Sequence, residues 1–73
     1  MVIAEMPKER FKRLATRRTN EILKRLRILG NCANKQFYEY TEAEIETIFS
    51  AIEKKVKETK AKFHFEREEK FKL

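Results

Sequence analysis

At 73 residues the chain has room for one domain at most, and a monomer of that size buries only about 60% of its unfolded surface. Charged and hydrophobic residues each make up 41% of it, too apolar for a disordered segment, and its single Gly and single Pro exclude a turn-rich all-β fold. The net charge of +6 lies wholly in residues 1–33, which carry nine Lys and Arg against Glu5, Glu9 and Glu21; residues 34–73 carry nine of each sign. Such asymmetry points to a polyanion or an acidic protein surface as partner.

Residues 1–6 read as a loose arm, with too short an apolar run for a signal peptide. Pro7 suits the first position of a helix, where its missing N–H costs nothing. From there to Leu29 the pattern predicts helix 1. Phe11, Ala15, Ile22, Leu26 and Leu29 recur at helical spacing, with Leu14 beside them, and form an apolar stripe. On the opposite side Arg10, Arg13, Arg17, Asn20, Lys24, Arg27 and Asn31 alternate at spacings of three and four, giving a basic ridge with no acid in its register. Arg18 and Arg25 flank the stripe, stems down and heads out.

Gly30 after Leu29 reads as a left-handed helix stop; a rival reading carries the helix one turn further, to Asn34. The turn then spans residues 30–40, long for a helix–helix connection. Phe37, Tyr38 and Tyr40 are expected to fold under it and close the end of the helix pair; the competing reading has them project and stack on bases or a partner. Thr41-Glu42-Ala43-Glu44 is a capping box, with Tyr40 and Ile45 at hydrophobic-staple positions.

Helix 2 is expected from residue 42 to about residue 67. Ile45, Ile48, Phe49, Ile52, Val56 and Phe63 form its apolar stripe, and Glu53–Lys57 and Glu58–Lys62 are its i,i+4 ion pairs. The rhythm fails beyond Phe63; Glu66–Lys70 and Glu68–Lys72 would extend the helix into a frayed tail with Phe71 and Leu73.

Two helices of similar length joined by a turn predict an all-α fold, an antiparallel two-helix hairpin spanning residues 1–73 as a single domain. One such pair leaves its seam open along both sides, and Leu14, Leu23, Ile28 and Ile48 spread beyond it. A homodimer forming a four-helix bundle covers these residues; a tail from Phe65 to Leu73 packing back is the alternative.

No glycine-rich phosphate loop or metal-ligand spacing is present, so neither cofactor nor metal is expected, and no catalytic constellation points to an enzyme. Cys32 has no second cysteine to pair with, which suits a reducing cytosol, and reads as buried small filler. His64 reads as a partly exposed helix residue. No stretch approaches the roughly 20 apolar residues of a membrane span, and the stripe of helix 1 is required by helix 2 rather than by a lipid surface, so a cytoplasmic protein is expected.

The ridge is the candidate functional surface. Arg outnumbers Lys four to one on it, which fits bidentate phosphate contact, and Asn20 and Asn31 suit bases or sugar edges. The expected function is a small non-enzymatic nucleic-acid-binding or accessory protein acting on DNA or RNA. An interaction module docking on an acidic protein is the alternative, and a merely solvated face is the blandest reading.

Around the turn, Ile28-Leu29-Gly30-Asn31, Asn34 and Tyr38-Glu39-Tyr40-Thr41 resemble a group of short bacterial helical proteins with an Ile-x-Gly-Asn, Asn, Tyr-x-Tyr-Thr pattern between two helices. The resemblance covers about Arg10 to Phe63. It implies two helices about a turn and no activity. Cys32-Ala33 departs from the ordinary polar or aliphatic pair at that place, which tells against a role for the thiol.

Overall fold

The computed structural model describes residues 4–65, and among them every regular element is helical. Helix α1 runs Pro7–Gly30, a 3-10 turn follows at Asn31–Ala33, and helix α2 runs Glu42–Lys60. The chain divides into two units, Met1–Glu39, which contains α1, and Tyr40–Leu73, which contains α2.

Helix α1 begins as Pro7 predicts. Met6 is its N-cap in extended conformation (φ −65°, ψ 146°), the geometry a following proline imposes. No side chain caps this end, and the Met6 carbonyl accepts the first helical bond from the Arg10 N–H at 2.9 Å. The far end differs from the left-handed stop. Gly30 is right-handed (φ −60°, ψ −25°), and no described residue has a positive φ. The Asn31 N–H bonds to the Ile28 carbonyl, three residues back, so the helix tightens into the 3-10 turn rather than unwinding. The chain leaves helical geometry at Asn34 (φ −69°, ψ 104°), where the rival reading placed the end.

Asn34 also builds the turn. Its side-chain Oδ1 accepts from the Gln36 N–H at 3.0 Å, and its carbonyl accepts from Phe37 and Tyr38 at 3.2 and 3.0 Å. This Asx-type arrangement gives the backbone a partner set outside the helix, which is why Asn34 rather than Gly30 terminates it. The connection between regular elements accordingly shortens to 34–41.

Helix α2 starts with the expected capping box. The Thr41 hydroxyl accepts from the Glu44 N–H at 3.2 Å, and the Glu44 carboxylate accepts from the Thr41 N–H at 3.0 Å. Tyr40 and Ile45, at the staple positions, are both half-buried. Glu42 and Glu44 lie at the positive end of the dipole, Lys57 and Lys60 at the negative end.

The helix stops at Lys60, short of the expected residue 67. Lys62 and Phe63 bond three residues back, to Thr59 and Lys60, as the last turn tightens. Past Val56 no apolar residue extends the stripe until Phe63, so packing gives little reason to continue, and charge pairs alone are weak support. Lys62 therefore lies beyond the helix, and among the described residues Glu58 pairs with Lys55 at 3.2 Å instead of with Lys62. His64 follows the helix rather than sitting in it. The expected Glu66–Lys70 and Glu68–Lys72 pairs and the tail residues Phe71 and Leu73 lie outside the described residues.

Among the described residues none is buried. The stripes are nonetheless legible in partial burial: Leu14, Ala15 and Leu29 on α1 and Ile45 and Ile52 on α2 are half-buried, whereas Ile22, Leu23 and Val56 are each 58% exposed. Cys32, expected as buried filler, is a free and exposed thiol.

The right-handed Gly30 has a direct consequence. A Cβ built there meets nothing within 4 Å. Gly30→Ala should therefore stabilise the helix by about 0.5–1 kcal/mol, measured by thermal unfolding followed by circular dichroism. A left-handed Gly30 would make the same change destabilising.

Candidate nucleic-acid interface

The ridge is set by the helical period, which returns positions three and four apart to one side of α1. Arg10, Arg13, Arg17, Asn20, Lys24 and Arg27 all lie within this one 24-residue helix and are all exposed. Asn31 is exposed too, at the start of the 3-10 turn that follows the helix.

The N-terminal end of the ridge is occupied from within the chain. Glu5 presents both carboxylate oxygens to the Arg13 guanidinium: Nε donates to Oε2 and Nη2 to Oε1, each at 2.9 Å. Arg10 joins the cluster, its Nη2 donating to the Glu5 carbonyl at 3.4 Å and its Nε lying 3.9 Å from Oε1. The arm at residues 4–6 is thus tied to the helix at Glu5, which becomes half-buried. The hydrogen bonds from Arg13, opposed by desolvation and aided by the nearby positive charge, hold the Glu5 carboxyl below its ordinary value; Glu5 in turn raises Arg13.

Two further acids approach the ridge from its flanks. A shallow groove on this side of α1 is lined by Glu9, Lys12, Arg13, Thr16, Arg17, Asn20 and Glu21. The expectation of an almost purely basic surface therefore needs correcting: Glu5 and Glu9 border the N-terminal end of the ridge, and Glu21 borders its middle, between Arg17 and Lys24. Among the described residues no ion pair involves Arg17, Lys24 or Arg27, so these three ridge cations carry no ion-pair partner, although Glu21 lies between Arg17 and Lys24.

The turn that follows this end, within the same unit, exposes two aromatic rings. Phe37 is 76% exposed and Tyr38 52% exposed; neither is folded under the turn as expected, while Tyr40, in the other unit, is half-buried. The Asn34 bonds to the Phe37 and Tyr38 N–H groups account for their placement, because they fix the backbone without drawing the rings inward.

The residue that periodicity missed is Glu5. It lies outside the helix and eight residues from Arg13, so no i,i+4 rule reaches it. The signal was an acid two residues ahead of a helix-starting proline, where extended backbone lets the side chain fold back along the first turns.

Among the described residues no group of three or more His, Cys, Asp or Glu side chains is placed to hold a metal ion. Among the described residues no helix is long and apolar enough to cross a membrane. Comparison with protein-family models, curated proteins and solved structures finds no match to the chain.

The depressed Glu5 carboxyl predicts a pH dependence. The pair contributes fully above the ordinary carboxylate range, about pH 4, and its contribution is lost as pH falls through the lower folded value. Carbon-13 NMR should show the Glu5 carboxyl titrating below the ordinary range, and Arg13→Gln should return it toward that range. An ordinary midpoint in the unsubstituted protein would contradict the pairing.

Proposed function

We propose that this is a small non-enzymatic protein that binds nucleic acid, or serves as an accessory to its binding, through the basic ridge of α1. The carrying observation is the exposed run of Arg17, Lys24 and Arg27 on one helix, none of them in an ion pair, followed in the same unit by a turn that exposes Phe37 and Tyr38. Arginine forks take phosphate oxygens in pairs, and phosphate contact supplies most of the sequence-independent affinity. Asn20 and Asn31 are suited to sugar or base edges. Exposed rings in the turn after a basic helix suit stacking on unpaired bases, which every base allows.

In this proposal the two helices form an antiparallel hairpin, and two copies pair into a four-helix bundle with their apolar stripes inward and their ridges outward. The exposure of Ile22, Leu23, Phe49 and Val56 supports that assembly. The location proposed is the cytoplasm, and the turn pattern supports a place among the short bacterial helical proteins it resembles, with no activity implied by that resemblance.

One observation favours a second reading, docking on an acidic protein: the anion that Arg13 holds is a carboxylate.

Fluorescence anisotropy with labelled single-stranded and duplex oligonucleotides, at several salt concentrations, separates the two. Nucleic-acid binding predicts log K falling linearly with log salt. Each phosphate contact removed lowers the slope by about 0.9 on duplex and about 0.7 on single strands. Replacing Arg17, Lys24 and Arg27 together with Gln should then reduce the slope by about 2–3 while helicity persists. An unchanged slope, or no binding near physiological salt, would overturn the proposal; the latter, with an acidic protein captured through the same residues, would establish the second reading.

A further inference from the structure

The Glu5–Arg13 contact bears on how a ligand reaches the ridge. A guanidinium edge offers one planar pair of donors, and a carboxylate and a phosphate compete for it with the same two-oxygen geometry. On Arg13 that edge is taken, with both bonds at 2.9 Å, and Arg10 is drawn to the same residue. We propose, resting on the nucleic-acid reading above, that Glu5 is an internal competitor that sets the ligand footprint: it reserves the Arg10–Arg13 end, so that a phosphate backbone engages Arg17, Lys24 and Arg27 first and reaches the Nε–Nη2 fork of Arg13 only by displacing the carboxylate.

The side-chain exposures fit an exchange of this kind. Arg10 and Arg13 remain 58% and 57% exposed, so an incoming anion has access to both while the pair is formed. Glu5 lies outside the helix, one residue ahead of its N-cap, so its departure breaks no helical hydrogen bond. The ion pair is therefore a contact that a ligand can replace without unfolding the element that carries the ridge. A strand short enough to stay on the C-terminal end would leave Glu5 in place, and one spanning the ridge would expel it.

The test is a double-mutant cycle on Glu5 and Arg13, read by anisotropy with a fluorescein-labelled oligothymidine long enough to span the ridge. Glu5→Gln, which keeps size and removes the competing charge, should tighten binding several-fold. In the Arg13→Gln background the same change should give little or no gain, because the fork it frees is gone. An equal gain in both backgrounds would show that Glu5 acts only through net charge and would overturn the competitor. So would identical affinities of Glu5→Gln and the unsubstituted protein, while leaving the nucleic-acid reading standing. If neither protein binds the oligonucleotide at low salt, the reading and the competitor fall together.

Discussion

The constraint on which this protein depends is that each helix carries an apolar stripe that remains open to solvent. No described residue is buried, and the best-covered apolar side chains are only half so. Caps alone do not account for helices of 24 and 19 residues, because most helical stability in proteins comes from packing an amphipathic face rather than from propensity. The proline start of α1 and the capping box of α2 define where the helices begin, but they do not replace that packing. The proposed pairing of copies answers the constraint directly: it gives the stripes partners and leaves the opposite side of α1 free.

That opposite side is more finely divided than its charge suggests. Arg10 and Arg13 serve partly as anchors for Glu5, Glu9 borders the same end of the ridge, and Glu21 borders its middle. The remaining positive charge is displaced toward Arg17, Lys24 and Arg27, on the side of the turn that exposes Phe37 and Tyr38. The ion pairs of Glu5 thus make the two ends of one helix face electrostatically different. In the proposed function it also biases where a phosphate backbone is first met.

Much of this organisation was legible in the sequence. Pro7 marked the start of α1, Thr41 and Glu44 the start of α2, and the three-and-four spacing of apolar and basic residues marked their two faces. These signals were readable because each acts within one or two turns of helix. The misreadings arose where local preference lost to its surroundings. Gly30 permits a left-handed stop without requiring one, and Asn34 ended the helix because its side chain and carbonyl supply alternative partners. The turn aromatics were expected inside on grounds of size, but the backbone bonds to Asn34 hold Phe37 and Tyr38 without burying them. Helix α2 ended at Lys60 because charge spacing cannot substitute for an apolar stripe. Glu5 escaped notice because helical periodicity says nothing of a residue ahead of the N-cap.

The proposed assembly joins the open stripes to the free ridge, and one measurement bears on it most directly: sedimentation equilibrium combined with helicity measured across the same range of protein concentration. The account predicts a dimer whose helical content and unfolding temperature rise with concentration, since covering the stripes and stabilising the helices are one event. A fully helical monomer at micromolar concentration, with an unfolding temperature independent of concentration, would contradict it.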